Sequence, residues 1–413
     1  MSGLVDVEIE SIAAGGDGVA RVAEPDGGAL VAFLPRTAPA DAGRARLQRK
    51  GRFARGELVE LTRPSPDRVA PPCPHYTRDR CGGCQLQHLR YPAQLDAKGG
   101  IIADALRRIG RRDVGRPAVA PSAREWRYRR KLTLALRRAG GRWIAGLHPY
   151  DAPGRVFELA DCPITDERVV AAWREIMAAQ RFFPRAAELR GAVRLLGDGV
   201  SFVLEGGTVW STARQLFDAV QSIEALWWEP EGRRRVLLHD RRRESSPGAS
   251  FVQVNAEVAG RLWAAVEERV LALRPATVVD AYSGAGDTAV RLSEQGVRVT
   301  AIEADREAAH WCAARLAAGS RSVAARVEDA LGDALPADVV IVNPPRTGLH
   351  ERVPETLAAG APAVVIYVSC NPATLARDVA RLAGYRVESL RAFDMFPQTA
   401  HVETVCELVR EAA

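Results

Sequence analysis

Apolar and polar positions change their period along this 413-residue chain. Over residues 4 to 62, short stretches alternate apolar with polar residues between glycine turns. Examples are Gly15-Gly-Asp-Gly-Val-Ala-Arg21 and Ala29-Leu-Val-Ala-Phe-Leu-Pro35. Side chains of a strand alternate between its two faces, so this pattern predicts half-buried strands closing into a small β-barrel. From about residue 276 the pattern becomes short, continuous apolar runs at 277–282, 297–302, 338–342 and 362–368, separated by Ala-rich stretches of helical period. The stretch 306–318, with Asp305 placed to cap it, is one of these. Continuous apolar runs suit strands covered on both faces, and their alternation with helices predicts a doubly wound parallel sheet of the α/β Rossmann-like type. Between the two regions, Arg63-Pro-Ser-Pro-Asp-Arg-Val-Ala-Pro-Pro72 reads as an extended linker. Residues 94–109 have the pattern of an amphipathic helix. The expected divisions are a barrel over 1–66, a central α+β domain over 67–245 and the doubly wound domain over 246–413, with 94–118 packing on that last domain.

Charge sharpens this division. Residues 1–250 hold 41 Lys+Arg against 30 Asp+Glu, whereas residues 251–413 hold 16 against 21. A basic front and a mildly acidic back predict that one part binds a polyanion and the other performs chemistry. Only Lys50, Lys98 and Lys131 among the 57 basic residues are lysine, so a general arginine bias also contributes to the front's charge. Arg124-Glu-Trp-Arg-Tyr-Arg-Arg-Lys131 interleaves aromatics with cations. It reads either as a surface for phosphates and unpaired bases or as an edge strand that buries Trp126 and Tyr128. No apolar stretch is long enough for a membrane span, and Met1-Ser-Gly-Leu-Val-Asp lacks a basic segment followed by an apolar one. A cytoplasmic, monomeric protein with no membrane partner is expected.

The candidate chemistry lies in the back half. The first apolar run opens into Gly284-Ala-Gly286-Asp-Thr-Ala289, and Glu303 ends the second, the arrangement of a nucleotide-binding turn. Asp280 and Asp287 bracket that turn. A pyrophosphate would be repelled there, whereas a ligand carrying a sulfonium and an ammonium would not, which favours S-adenosylmethionine over NAD. Asn343-Pro-Pro-Arg346 forms a rigid turn after a later strand. Cys370 ends the last apolar run and is followed by the helix-start pair Asn371-Pro372. A thiol beside a helix N-terminus at the carboxyl end of a strand is expected to have a depressed pKa and suits a nucleophile, whereas most lone cysteines are small core hydrophobes, and this segment alone leaves both readings open. Glu403 sits at the entry to a final strand.

Four cysteines stand apart from this region. Cys73, Cys81 and Cys84 are spaced C-x7-C-x2-C, and Cys162 offers a fourth thiol far along the chain. Seven cysteines in a long unsecreted chain argue for metal binding or catalysis over a disulfide framework. Four thiols suit either an iron-sulfur cluster or structural zinc, and the spacing does not separate them.

Five motifs together resemble the uracil-C5 RNA methyltransferase family. They are Phe251-Val-Gln253-Val-Asn255, Asp280-Ala-Tyr-Ser-Gly-Ala-Gly286, Asn343-Pro-Pro-Arg-Thr-Gly348, Ser369-Cys-Asn-Pro372 with Thr374-Leu-Ala-Arg-Asp378, and Phe396-Pro-Gln-Thr-Ala-His-Val-Glu403. The resemblance implies that Cys370 is the nucleophile and Glu403 the base. It implies that Gln253, Tyr282, Asp287, Glu303, Asp329 and Asn343 line the S-adenosylmethionine site, at the loop of Gly284 and Gly286. The family usually carries Asp where this chain has Asn343, which keeps a hydrogen-bonding role but not a negative one. The barrel resembles the RNA-binding TRAM domain, although its usual Pro-Gly-Glu turn is not evident near Pro39-Ala-Asp-Ala-Gly43. Cys73, Cys81, Cys84 and Cys162 resemble the ligands of a 4Fe-4S cluster. The cysteine pattern is closer to members acting on 23S rRNA than to those acting on tRNA.

The chemistry asks for the same pair. Carbon 5 of uracil is too weak a nucleophile to accept a methyl group until a thiolate adds to carbon 6. The carbon 5 proton must then leave before the cysteine can be eliminated, and a carboxylate is a suitable base. Three other functions remain open from sequence: a tRNA uridine methyltransferase, an amino-group methyltransferase, and an RNA-binding factor with an inactive methyltransferase module. An amino-group enzyme would place an aromatic where Arg346 stands.

Overall fold

The computed structural model describes residues 4–24, 27–243 and 253–411. Its strands Leu4–Ile12, Gly18–Ala23, Ala29–Leu34, Ala42–Lys50 and Phe53–Arg63 close into a barrel. The alternation read from the sequence turns Val7, Ile9, Ala20, Val22, Leu30, Ala32, Leu34 and Ala45 inward. Closure leaves no unpaired strand edge on this small element.

The chain divides into two compact units. The first comprises Met1–Ala70, Gln85–Ala123 and Glu257–Ala413, and the second Pro71–Cys84 and Arg124–Ala256. The expected boundary at 245/246, with Phe251 and Val252 of the first resembling motif, lies outside the described residues.

The second unit is built on a seven-stranded sheet. One face, with Leu132, Leu134, Leu136, Val193 and Phe202, packs on Val169, Trp173 and Ile176 of the helix Glu167–Ala178. Of the two readings of the aromatic and cationic segment, burial prevails. Tyr128 is buried in this core and Trp126 packs against it, while Arg127 pairs with Asp161 at 2.7 Å. The segment is irregular rather than a strand, and the strand Lys131–Ala139 begins at its end.

The first unit holds an eight-stranded sheet. Its order is Arg321–Ala324, Arg298–Glu303, Thr277–Ala281, Val339–Val342, Val364–Ser369, Glu403–Arg410, Tyr385–Phe393 and Val119–Ala120. The first five strands are parallel, and Glu403–Arg410 runs antiparallel to both of its neighbours. The helix starting at Arg306 ends at Ala313, not at 318. Arg315 and Leu316 both turn their N–H groups back to Cys312, and Gly319 at φ +87° redirects the chain into the next strand. The helix Tyr91–Arg108 packs within the first unit: Ile102 and Leu106 share a core with Leu375, Ala376 and Val379 of the helix Pro372–Arg381. Among the described residues no helix is long and apolar enough to cross a membrane.

Thr277–Ala281 has later strands on both sides, Arg298–Glu303 on one and Val339–Val342 on the other, so the strand order reverses there. Open α/β sheets bind ligands beyond the carboxyl ends of the strands at such a point.

Candidate active site

The turn after Thr277–Ala281 is held in a conformation that its glycines make possible. Tyr282, Gly284 and Gly286 all have positive φ. A Cβ on Gly286 would lie 2.1 Å from Cys312 Sγ, so only glycine lets the turn press against the helix Arg306–Ala313. Glu303 braces the turn from the next strand. One carboxylate oxygen accepts from Gly284 N at 2.9 Å and the other from Asp305 N at 2.8 Å. Asp287 pairs with Arg315 at 3.0 Å, and the same guanidinium donates to Ala285 O at 2.8 Å. The Asn343 N–H donates to Ala281 O at 3.2 Å, which brings the Asn-Pro-Pro-Arg turn beside the glycine turn.

Asp280 is buried, and its Oδ2 has no partner. Burial pushes its carboxyl up to about 7, aided by the charges of Glu303 and Asp287 and opposed by the Ala289 N–H. An orphaned carboxylate oxygen among three acids fits a ligand that brings positive charge, as a sulfonium or ammonium does. Burial and the nearby Glu328 push the Tyr282 hydroxyl up to about 12.

Glu328 was not among the residues read from sequence. Its side chain is 7% exposed, whereas Asp329 is 52% exposed and paired with Arg352 at 2.7 Å. The helical pattern could have separated them, because Val327 and Leu331 define the buried stripe that residue 328 borders and residue 329 does not. Gln253 is half-buried and belongs to the second unit.

Cys370 and Glu403 come together at the other end of the crevice. Ser369 pairs with Thr404 in the antiparallel ladder, so the next residue on one strand and the preceding one on the other, Cys370 and Glu403, leave it side by side. Asn371 caps the helix Pro372–Arg381 by accepting from Ala373 N at 3.1 Å. Its amide donates to Arg346 O at 3.1 Å, tying the cysteine turn to the Asn-Pro-Pro-Arg turn. Beneath both, buried Asp378 accepts from Leu349 N and Tyr367 OH at 2.8 Å each.

The expected depression of the Cys370 thiol is not found. Burial and the Glu403 carboxylate push its pKa up, against a hydrogen bond and a favourable charge from Arg346. Desolvation outweighs the helix terminus because the thiol is only partly open to solvent. Burial pushes Glu403 up to about 8, again opposed by Arg346. Arg346, which in the sequence only distinguishes the turn from the amino-group pattern, is the cation that acts on both Cys370 and Glu403.

Cys73, Cys81, Cys84 and Cys162 are all buried in the second unit, and Cys73, Cys84 and Cys162 belong to one core. They match a thiolate-ligated group in donor type. Among the described residues, however, no three His, Cys, Asp or Glu side chains are gathered as a metal-holding group.

Residues 308–411 match the family model described as tRNA (uracil-5-)-methyltransferase. An uncharacterized RNA methyltransferase of Gloeobacter violaceus is 33% identical, covering 98% of this chain and 96% of its own length. One from Protochlamydia amoebophila is 31% identical over 98% and 97% of the two chains. Among solved structures, Pyrococcus abyssi tRNA (uracil-54, C5)-methyltransferase in complex with S-adenosyl-L-homocysteine is 25% identical. It superimposes with a TM-score of 0.65 over 95% of this chain and 99% of that one. With its acid-lined glycine turn and its paired cysteine and glutamate on one Rossmann-like sheet, this chain belongs to the uracil-C5 RNA methyltransferase family.

Proposed function

We propose that the protein transfers a methyl group from S-adenosylmethionine to carbon 5 of a uridine in 23S rRNA, through a covalent bond between Cys370 and carbon 6. The observation that carries this reading is the placement of Cys370 and Glu403 at adjacent strand ends, with the charge of Arg346 acting on both. Arg346 favours the thiolate, which adds to carbon 6 and makes carbon 5 nucleophilic. Carbon 5 then takes the methyl group from the sulfonium. Glu403 removes the carbon 5 proton, and the electrons left behind expel the Cys370 thiolate. To reach both residues the base leaves its stack, at the expense of unstacking.

Tyr282, Gly284, Gly286, Asp287, Glu303 and Asn343 hold the methyl donor in this reading, with Asp280 and Glu328 supplying negative charge around it. Cys73, Cys81, Cys84 and Cys162 would hold a 4Fe-4S cluster, which supplies a cross-link for the second unit. No step of methyl transfer uses it. The barrel and the basic front half bind RNA, and the protein acts as a cytoplasmic monomer.

A tRNA substrate is the second reading, favoured by the Pyrococcus abyssi tRNA enzyme, which aligns over nearly the whole chain. The deciding experiment maps 5-methyluridine in ribosomal and transfer RNA from a strain lacking the gene, then restores it with purified protein and labelled methyl donor. Loss and restoration at one 23S rRNA uridine is the expected result. Loss from tRNA alone selects the second reading, and transfer to neither RNA overturns both.

A further inference from the structure

Glu403 is reached through a connection that hangs on a distant helix. Strand Tyr385–Phe393 ends opposite Glu403 in the ladder, so residues 394–402 form the loop that delivers Glu403 to its place. Lys98, on the helix Tyr91–Arg108, is fully buried. Its ammonium donates to Asp394 Oδ1 at 2.5 Å and to Phe396 O at 3.0 Å. One turn earlier on the same helix, the Gln94 amide donates to Gln398 Oε1 at 2.9 Å. Gln94 Oε1 accepts from Gln398 N at the same distance.

Gln398 has φ +70°, a left-handed conformation that a side chain bearing a Cβ resists. Its carbonyl accepts from Gln85 N and Leu86 N at 3.1 and 3.0 Å. The loop's start is held as well, since Asp394 N donates to Ala120 O at 2.9 Å. The barrel adds a contact from a third side: a Cβ on Gly16 would sit 3.3 Å from the Ala400 Cβ and 2.4 Å from the Gln85 Cβ.

We propose that Lys98 and Gln94 are positioning residues that fix the 394–402 loop and thereby set the Glu403 carboxylate for removal of the carbon 5 proton. The proposal rests on Glu403 being the base. A buried ion pair is weak as a source of stability, because desolvation offsets its attraction. Its distinctive effect is geometric: it admits one placement of the loop where an apolar contact would admit several. The chain uses lysine three times among 57 basic residues, and one of those three fills this closed space, where an arginine fork would not fit without displacing the loop. A base displaced by a fraction of an ångström loses rate steeply, whereas addition at Cys370 does not pass through this loop.

The test separates the two halves of the reaction in the full-length protein, using the RNA that accepts the methyl group. Gln94→Ala and the charge-removing pair Lys98→Met with Asp394→Asn are compared with Glu403→Gln. Formation of the methylated protein–RNA adduct and its resolution are timed separately in a single turnover. The expected result is adduct formation within about threefold of the unaltered protein and resolution slowed about tenfold or more, as loss of orientation predicts. Resolution at the normal rate in Gln94→Ala overturns the proposal. So does an equal slowing of formation and resolution, which is what a merely structural role gives. Gln94→Ala removes no charge and decides the matter by itself if the paired variant does not fold. Absence of an adduct in Glu403→Gln refutes the base assignment itself, whereas an adduct there with normal resolution in the other variants refutes the positioning role alone.

Discussion

Cys370 and Glu403 lie one residue beyond the Ser369–Thr404 pair of one antiparallel ladder, with Arg346 acting on both. Glu403 raises the Cys370 pKa while Arg346 lowers both, so the pair resists being charged together and the guanidinium offsets that resistance. Below about pH 8 Glu403 is protonated and exerts no repulsion on Cys370.

Cys370→Ala and Glu403→Gln are expected to fail differently. The first abolishes carbon 6 addition, so neither methyl transfer nor adduct forms. The second allows addition and methyl transfer but slows elimination by about a thousandfold or more, the upper range of a general base's contribution. A denaturant-resistant protein–RNA band carrying the transferred methyl group checks this. Turnover by Cys370→Ala would remove the nucleophile assignment.

Activity is expected to climb with pH through about 8, because Glu403 must be ionised to accept a proton. Arg346 lowers the pKa of both Cys370 and Glu403, so Arg346→Gln raises both. The rising limb of kcat/KM then moves to higher pH by about one unit. An unmoved limb in the pH–rate profile of this variant would show that Arg346 does not tune the pair.

Glu403 also makes a stability prediction. Its carboxyl is raised from 4.5 to about 8 on folding, so between these values the folded chain keeps a proton that the unfolded chain has lost. Stability from this group is full below the unfolded pKa, falls as pH rises toward about 8, and is level above it. Glu403→Gln removes this loss. It should stabilise the protein by about 1–3 kcal/mol near pH 8.5 and by little near pH 4.5, as measured by urea unfolding at the two pH values.

Protein purified without oxygen is expected to be brown, with roughly four irons per chain, the content of a 4Fe-4S cluster. Each of Cys73→Ala, Cys81→Ala, Cys84→Ala and Cys162→Ala should lower the iron content and the resistance to unfolding. Stoichiometric zinc in a colourless sample would replace the cluster with a structural zinc site.

What the sequence by itself determined was local. The alternation over residues 4–62 was enough to specify a barrel, because period-two side chains can bury only one face of a strand. The apolar run ending at Ala281, the glycine turn and the acid at Glu303 mark a ligand crevice, because each is a few residues of fixed backbone geometry. Cys370 and Glu403 stand out in the sequence because one ends an apolar run beside a helix start and the other opens the final strand.

Tertiary structure decided everything that depends on which side chains meet. Arg346 lies 24 residues before Cys370 and 57 before Glu403, and no period or spacing says that one guanidinium acts on both. Burial also reversed the expected direction of the Cys370 shift, since desolvation depends on what packs around the thiol and not on its neighbours in the chain. Lys98 and Asp394 are 296 residues apart, and each by itself reads as an ordinary surface charge. They meet because the apolar face of Tyr91–Arg108 is buried against the helix Pro372–Arg381, and hydrophobic burial, which has no direction and leaves no motif, chose the partner.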